Sequence, residues 1–370
     1  MGERRRTLEN LVMTGSFNDF YQSKKVLVTG HTGFKGGWLA AWLKLLGAEV
    51  IGFALPPETQ PNIFDVAEIQ SNMVSAFGDI RCLQALSKIF HEHTPEIVIH
   101  NAAQAIVRRS YREPVETYAT NVMGTVHVLE AARKCPSVRS IVVVTSDKCY
   151  ENSDQSRAFH EEDPVGGHDP YSSSKGAAEL VVSAYRRSFF SESGSTAVAS
   201  ARAGNVIGGG DWSEDRLIPD IVRAISRNER VSIRSPHSIR PWQHVLEPIR
   251  GYLILGQRLW EEGQKFAGAW NFGPREDDAI CVLEVANRII SVWGKGEVTL
   301  RSEPSAPHEA SYLRLNCEKS SVHLGWYPKL KLEQALEWTV DWYRGFYEGS
   351  CSARSVTERQ IQQYMAAAAA

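Results

Sequence analysis

The segment that most constrains the fold is Lys25-Val-Leu-Val-Thr-Gly-His-Thr-Gly-Phe-Lys-Gly36. A run of β-branched and apolar residues ends there at glycines with the spacing GxxGxxG, and a helical pattern begins directly after them. Such a turn lets backbone N–H groups and the positive end of a helix approach a pyrophosphate. The segment therefore predicts a strand, turn and helix that bind a dinucleotide. For the motif alone, a turn that packs closely and binds nothing is the alternative.

Between Lys25 and about Arg202, β-branched runs alternate with helical stretches such as 38–46 and 122–133. Runs that are apolar throughout indicate parallel strands buried on both faces. The pattern predicts the α/β class, with a doubly wound parallel Rossmann sheet. The runs are Val26–Thr29, Glu49–Phe53, Glu96–His100, Ser140–Thr145 and Thr196–Ser200.

Beyond Arg202 the pattern loosens into shorter elements separated by glycine and proline. We expect a smaller C-terminal substrate-binding lobe that is interleaved with the large domain. The predicted boundaries are an N-terminal extension over 1–23, the Rossmann domain over 24–205, the lobe mainly over 206–350 with segments near 236–273 returning to the large domain, and a C-terminal tail over 351–370.

Composition narrows the class of protein. The formal net charge of −2 gives no general attraction for nucleic acid or an acidic membrane surface. The six cysteines form no CxxC pair, so we predict neither a disulfide framework nor a metal site. The basic N-terminus precedes no apolar run of signal-peptide length, and no segment approaches the length of a membrane span. We therefore expect a cytoplasmic protein with no nucleic acid, membrane or metal partner.

A tyrosine and a lysine stand one helical turn apart in Asp169-Pro-Tyr-Ser-Ser-Ser-Lys175. Asp169 is a predicted N-cap and Pro170 suits the first helical position, which places Tyr171 and Lys175 on one face. An adjacent ammonium favours the phenolate, so we expect a general base; a surface pair is the alternative. Ser146 follows the strongest apolar strand, at the sheet edge where α/β proteins bind ligands.

Together, Ser146, Tyr171 and Lys175 after GxxGxxG resemble the extended short-chain dehydrogenase/reductase superfamily. Asn101-Ala-Ala103 and Asn121 add to this resemblance. Further segments are similar to the nucleotide-sugar 4,6-dehydratases: Thr145-Ser-Asp-Lys148, Ala201-Arg-Ala-Gly-Asn-Val-Ile-Gly-Gly-Gly-Asp-Trp212 and Arg240-Pro-Trp-Gln-His-Val245. The dTDP-glucose enzymes have Asp-Glu where this chain has Asp147-Lys148, so the resemblance is to the branch that acts on CDP-glucose.

The resemblance implies an internal redox cycle on CDP-glucose with NAD as the cofactor. Tyr171, assisted by Ser146 and Lys175, takes the proton of the 4-hydroxyl as hydride leaves C4. Asp147 protonates the hydroxyl that leaves C6. Lys148 is the expected base at C5, and a structural lysine that pairs with Asp147, or a water-mediated route, is the alternative.

The binding residues follow from the same resemblance and motif. For the cofactor we predict Gly30, Thr32, Gly33, Phe34, Gly36, Asp79, Ile80, Ala102, Ala103, Gln104, Asn121 and Thr145, together with Tyr171 and Lys175. For the substrate we predict Gln104, Asn205, Arg216, Leu217, Arg240, Asn271, His308 and Tyr312. A helix cap is the alternative for Asp79, and a solvated surface charge is the alternative for Arg216.

Three choices stay open at the level of sequence. The second strand ends in Val50-Ile-Gly-Phe-Ala-Leu55 with neither an acid nor an arginine, so NADP is not excluded. A nucleotide-sugar 4-epimerase, a GDP-mannose-type dehydratase and a dinucleotide sensor without activity are the competing functions. A homodimer, or a dimer of dimers, formed through 122–133 and 175–190 is expected, although the apolar residues there equally suit a core.

Overall fold

The structure is a computed structural model that describes residues 17, 19–152, 157–192, 194, 196–301 and 313–369. Its centre is a seven-stranded sheet in the order β11-β6-β5-β4-β1-β2-β3, and every neighbouring pair of strands is parallel. The strands of the large sheet are β1 Lys25–Thr29, β2 Glu49–Ala54, β3 Val74–Phe77, β4 Ile97–His100, β5 Ser140–Val144, β6 Ala197–Ala203 and β11 Gly268–Phe272. The predicted doubly wound α/β sheet is confirmed.

The uniformly apolar strands are buried on both sides of this sheet. On β1, Val26 and Val28 belong to one hydrophobic core and Leu27 to the other, because successive side chains of a strand point to opposite faces. The helices that cover the two faces, and those of the smaller lobe, are α1 Phe34–Leu45, α2 Ile63–Val66, α3 Leu83–His93, α4 Val107–Arg112, α5 Pro114–Tyr118, α6 Gly124–Arg133, α7 Pro170–Phe189, α8 Leu217–Ser226, α9 Leu246–Glu262, α10 Val282–Trp293, α11 Glu318–Leu324, α12 Leu332–Glu348 and α13 Ala353–Ala369.

The smaller lobe is built from short strand pairs beside the carboxyl edge of the sheet. These pairs are β7 Val206–Ile207 with β10 Gln243–His244, β8 Val231–Ile233 with β13 Val298–Leu300, and β9 Ile239–Pro241 with β12 Ala279–Cys281. The chain leaves the large domain after β6 and returns to it through α9 and β11, which pairs with β6. The lobe is therefore interleaved with the sheet that it faces.

Both ends of the described chain pack against the fold. Near the start, Tyr21 is buried and its hydroxyl donates to the Leu253 carbonyl at 2.6 Å. At the end, residues 353–369 form a helix in which Tyr364 lies edge-on to Trp42 and donates to buried Glu247 at 2.5 Å. The sequence did not predict this helix, because only one of its faces is apolar and its mean hydropathy is therefore low. Within the described ranges, no helix combines the length and apolar character needed to cross a membrane.

Candidate active site

The topology places a cavity where the strand order reverses, between β1 and β4. Ligands of open α/β sheets bind at this reversal, outside the carboxyl ends of the strands. The cavity has a volume of about 590 Å³ and is lined by the glycine turn, by the ends of β1 to β6 and by the smaller lobe. Most of the residues predicted from the sequence meet in this one cavity.

The glycine turn is packed too tightly for side chains. Gly30 has φ +77°, and a Cβ there would lie 2.8 Å from the Ala102 backbone; a Cβ on Gly36 would lie 1.9 Å from the Gly30 carbonyl oxygen. Gly33 is the N-cap of α1 and offers no side chain to the first N–H groups of that helix. An open helix N-terminus beneath a bare backbone fits the pyrophosphate of a dinucleotide. Thr32 and Phe34 line the cavity beside it.

The loop after β4 forms the neighbouring wall. Ala102, Ala103 and Gln104 line the cavity, whereas Asn121 lies behind them. The buried Asn121 side chain accepts a hydrogen bond from the Gln104 N–H at 2.9 Å and donates to Ser174 Oγ at 2.8 Å. The side-chain amide of Gln104 donates to Thr117 Oγ1 at 2.9 Å. Asn121 therefore holds the loop in place instead of facing the cavity.

The far end of the cavity lies beyond β2 and β3. Thr32 donates to the Leu55 carbonyl at 2.9 Å, and Glu58, which the sequence analysis missed, lines this end four residues beyond β2. Asp79 and Ile80 line it as well; a side-chain hydrogen bond from Arg81 holds the pKa of Asp79 below its usual value. The alternative of a helix cap for Asp79 is wrong, because Cys82 is the N-cap of α3.

At the opposite end, Tyr171 and Lys175 line the cavity from one face of α7, and Ser146 lines it from the end of β5. Asp169 caps α7 through the Ser172 N–H at 3.0 Å, with Pro170 in the first turn, as the sequence predicts. The predicted catalytic residues Ser146, Asp147, Lys148, Tyr171 and Lys175 all line this end, together with Thr145.

The electrostatics of Tyr171 differ from the expectation. Burial raises the pKa of its phenol to about 12, although a hydrogen bond with Ser146 works in the opposite direction. The Lys175 ammonium donates to the Val144 carbonyl at 3.3 Å, and burial lowers its pKa to about 8. Desolvation thus outweighs the expected stabilisation of the phenolate by Lys175.

Asp147 is a buried carboxyl beside the Ser146 hydroxyl, which donates to its Oδ1 at 3.0 Å. Its Oδ2 has no hydrogen-bond partner among the described residues. Burial raises the pKa of Asp147 above its usual value, against the opposing charges of Lys148 and Arg240. Burial therefore disfavours the charged form of this carboxyl, which is the direction that a proton donor requires. Lys148 is half-buried and lines the cavity one residue further on.

A buried ion pair braces this catalytic end from behind. Glu179, one turn after Lys175 on α7, pairs with Arg202 at 2.7 Å and accepts from Thr145 Oγ1 at 2.5 Å and Ser200 Oγ at 2.7 Å. Burial opposes the charge of Glu179, but Arg202 and these hydroxyls outweigh it and lower its pKa. The pair fixes α7 against β5 and β6, so the Lys175 backbone is held to the strand ends.

The glycine turn carries two polar side chains, His31 and Lys35. His31 is buried against Gly52 and contacts Ser75 Oγ at 2.8 Å; burial lowers its pKa to about 4. Lys35 lines the cavity, and its ammonium donates to the Tyr252 hydroxyl at 3.2 Å. Burial, reinforced by the charge of Lys175, lowers the pKa of Lys35 to about 7.

Arginines and an amide from the smaller lobe line the rest of the cavity. Arg216 pairs with Asp211 at 3.0 Å, so it is not a solvated surface charge. Arg240 is buried on β9 and donates to the Ile239 carbonyl at 3.0 Å. Asn205 and Leu217 stand beside them in the lining. Arg108 and Arg234 also line the cavity, although no sequence motif marked them.

One predicted substrate contact, Asn271, is not brought to this site, and two others lie outside the described residues. Asn271 is fully buried and lies outside the cavity lining. It accepts from the Tyr150 hydroxyl at 2.7 Å and donates to the carbonyls of Phe159 and Asn316, each at 3.0 Å. These bonds give Asn271 a structural role and correct its predicted one. His308 and Tyr312 lie outside the described residues.

The sequence and the fold of this chain are similar to those of several known proteins. Residues 27–339 match the family model of GDP-mannose 4,6 dehydratase. The CDP-glucose 4,6-dehydratase of Salmonella typhimurium is 48% identical over 353 residues, which cover 94% of this chain and 98% of that protein. Among solved structures, dTDP-glucose 4,6-dehydratase from Bacillus anthracis in complex with NAD has a TM-score of 0.74 at 25% identity, over 88% of this chain and 98% of that one. UDP-glucose 4-epimerase from Thermus thermophilus in complex with NAD has a TM-score of 0.75 at 25% identity, over 86% of this chain and 99% of that one.

Proposed function

This chain belongs to the GDP-mannose 4,6-dehydratase family, and from that premise we propose that it converts CDP-glucose to CDP-4-keto-6-deoxyglucose with a recycled NAD. The observation that carries the proposal is the buried Asp147, placed between Ser146 and Lys148 in the cavity that Tyr171 and Lys175 line. An epimerase needs a base at the 4-hydroxyl alone. Loss of water requires an acid as well, and the raised pKa of Asp147 suits that role.

The residues that would hold the cofactor are those of the glycine turn and the two neighbouring walls. Gly30, Gly33 and the open end of α1 would hold the pyrophosphate, Ala102 and Ala103 would support it, and Glu58 and Asp79 would face the adenosine. When bound, NAD accepts a hydride from C4 of the sugar and returns one at C6. We place the nicotinamide end beside Tyr171 and Lys175, because these residues act on the carbon that is oxidised.

The protein residues then move protons in three steps. Tyr171 accepts the proton of the 4-hydroxyl as the phenolate, a form that its buried position disfavours and that the positive charge of Lys175 favours, and Ser146 is hydrogen-bonded to the same oxygen. The resulting ketone acidifies the hydrogen on C5, which Lys148 removes. Asp147 donates its proton to the hydroxyl on C6, water departs, and Lys148 returns the proton to C5 when hydride is delivered to C6. A carboxyl whose pKa is raised by burial and a lysine beside it supply the acid and the base of this elimination.

The nucleotide-sugar fits the arginine-lined half of the cavity. Arg216 and Arg240 carry planar guanidinium groups that suit a diphosphate, and Asn205 and Leu217 lie beside them. We assign CDP-glucose, and not another nucleotide-sugar, because the Salmonella typhimurium relative that covers nearly the whole chain acts on it. Gln104, whose amide is engaged with Thr117, supports the loop near the sugar.

Assembly and location remain predictions of the sequence. Apolar side chains on the outer surface of the α5 to α7 region are exposed, which supports a homodimer through these helices. Their exposed fractions are 82% for Val115, 47% for Met123, 62% for Leu180 and 52% for Phe189. We propose a cytoplasmic homodimer that contacts no nucleic acid or membrane.

The test is a reaction of the purified protein with NAD and a panel of CDP-, dTDP-, UDP- and GDP-glucose. We expect a 4-keto-6-deoxy sugar from CDP-glucose without net accumulation of NADH, measured by mass spectrometry and by absorbance. Release of NADH in step with substrate would exclude internal recycling. A 4-epimer as product would make the protein an epimerase.

A further inference from the structure

His100 is a buried histidine that the chemistry described above does not use. It is the last residue of β4, and the loop that follows it, 101–104, lines the cavity beside the glycine turn. The imidazole itself is only 2% exposed and lies behind that lining. Each ring nitrogen meets a buried threonine hydroxyl: Nδ1 lies 2.7 Å from Thr29 Oγ1, and Nε2 lies 3.2 Å from Thr125 Oγ1. These two hydroxyls decide which nitrogen carries the hydrogen.

The hydroxyl of Thr29 fixes the state of Nδ1. A hydroxyl has one proton to donate and two lone pairs that accept. The backbone N–H groups of Asn101 and Ala102 both donate to Thr29 Oγ1 at 3.2 Å, and that of Asn101 is shared with the Thr29 carbonyl. Among the described residues, the neighbour left to receive the hydroxyl proton is Nδ1 of His100. Nδ1 therefore accepts and carries no hydrogen.

The hydroxyl of Thr125 leads to the same tautomer from the other side of the ring. It donates to the Asn121 carbonyl at 2.7 Å, one helical turn earlier, so its proton is not directed at the imidazole. Nε2 of His100 must therefore donate to Thr125. Burial, reinforced by the charge of Lys175, lowers the pKa of His100 to about 3, which keeps the ring neutral at neutral pH. Two separate hydroxyls thus select one form, the neutral ring with its hydrogen on Nε2.

This chain of hydrogen bonds reaches both ends of the loop 101–104. At the start of the loop, the bond from the Ala102 N–H holds the backbone against the glycine turn, where a Cβ on Gly30 would lie 2.8 Å from it. At the end of the loop, the Asn121 side chain accepts from the Gln104 N–H at 2.9 Å and donates to the Gln104 carbonyl at 3.0 Å. The backbone carbonyl of the same Asn121 receives the threonine hydroxyl. One imidazole therefore joins the two ends of the loop.

We propose that His100 is a positioning residue, which holds the loop 101–104 against the glycine turn at the spacing that the cofactor requires. The inference rests on the proposed function, because it takes the cavity beside Gly30 as the NAD site. An imidazole suits this place because one nitrogen accepts while the other donates. Without an acceptor at Nδ1, the buried Thr29 hydroxyl must turn to another partner, and in turning it gives up the N–H groups of the loop.

The experiment measures the dissociation constants of NAD and CDP by calorimetry for the wild type, Thr29→Val and His100→Leu. Each substitution breaks the chain at one link, so NAD affinity should fall about tenfold while CDP affinity changes less than about twofold. The double variant should lose no more than either single variant, because both act on one network. Thr339→Val is the matched control: Thr339 is equally buried and donates to the Ala335 carbonyl on α12, away from the cavity lining. It should leave NAD affinity unchanged.

Two further variants separate positioning from simple packing, and they keep the test decisive if His100→Leu unfolds. His100→Asn carries an oxygen on Cγ, where the imidazole carries Nδ1, and should bind NAD within about threefold of the wild type. His100→Gln fills more of the space but has no acceptor at that position, so its NAD affinity should fall about tenfold. A residue that only fills space would give the opposite order, because Asn leaves the larger cavity.

The wild type supplies a spectroscopic test. Nitrogen NMR of isotope-labelled histidine rings should show His100, assigned by its absence from His100→Asn, as the neutral ring with its hydrogen on Nε2. A hydrogen on Nδ1 would overturn the inference. So would unchanged NAD affinity in Thr29→Val and His100→Gln, tighter binding by His100→Gln than by His100→Asn, or equal losses for NAD and CDP.

The proposed function fails in a different way. A wild type that binds CDP but not NAD contradicts the proposed function itself. A wild type that binds both, with variants of His100 and Thr29 that bind NAD equally well, leaves the proposed function intact and contradicts the role of His100.

Discussion

The two ends of the cavity differ in the groups that line them, which are mainly backbone at one end and arginine side chains at the other. At the cofactor end, the continuous segment 25–45 forms a strand, a glycine turn and a helix, and the backbone itself presents the donors. At the substrate end, guanidinium groups come from separated parts of the chain: Arg108, Arg216, Arg234 and Arg240. A site made of backbone is specified locally and tolerates little change, whereas a site made of side chains can change specificity one residue at a time.

The first prediction tests whether the chemistry between the two ends is independent of binding at either one. Tyr171→Phe removes only a hydroxyl from a buried ring, so the unliganded fold and both ends should be unchanged. Loss of the base should lower turnover by roughly a thousandfold. Product formation and the dissociation constants of NAD and CDP are the measurements.

Tyr185→Phe is the control, because Tyr185 lies on the same helix, away from the cavity lining. Turnover retained in Tyr171→Phe would remove Tyr171 from the mechanism. Parallel losses of turnover and of NAD affinity would show that catalysis and binding are coupled.

The second prediction tests the claim that the cofactor end depends on its backbone. A methyl at Gly36 overlaps the Gly30 carbonyl oxygen, so Gly36→Ala should lower both the melting temperature and NAD affinity, the latter at least about tenfold. At Gly33 the added Cβ lies 3.5 Å from that oxygen, an ordinary contact. Gly33→Ala should therefore keep the melting temperature and lose affinity alone, because the methyl stands where the pyrophosphate approaches.

Thermal melts without ligand and titrations with NAD distinguish these outcomes. Equal melting temperatures for wild type and Gly36→Ala would contradict the close packing of the turn. Full NAD affinity in Gly33→Ala would mean that the cofactor does not approach this part of the backbone.

The third prediction concerns Lys35, the charged residue of the glycine turn that lines the cavity. Its pKa of about 7 in the folded protein lies below its ordinary value, so between those values the unfolded chain binds a proton that the folded chain does not. Wild-type stability should therefore gain from this group as pH rises from about 7. Lys35→Met should raise the melting temperature by about 2 °C or more at pH 6, and by less at pH 9.

Melting curves across this pH range are the measurement, and Lys88→Met, whose side chain is 72% exposed, is the control. A difference between Lys35→Met and wild type that is the same at every pH would contradict a half-buried Lys35 that titrates near pH 7. That result would also mean that no titrating side chain contributes to the cofactor end, which would then consist of backbone groups.

Sequence reasoning succeeded where spacing along the chain equals proximity in space. The glycine turn, the N-cap Asp169 and the pair Tyr171 and Lys175 are local, so their geometry follows from helix and turn rules. It failed where burial decides. The expected depression of the Tyr171 pKa became an increase, and Asn271 became a structural amide, because neither desolvation nor distant partners can be read from a motif.

The sequence by itself determined the doubly wound sheet and the turn between its first strand and first helix, and it predicted the catalytic residues, since each rests on a period or spacing within a few consecutive elements. The tertiary structure decided the rest. It brought Glu58, Lys35, Arg108 and Arg234 to one cavity, and it packed the helix 353–369 against the Rossmann core. These outcomes depend on contacts between residues far apart in the chain, and on the water that those contacts exclude.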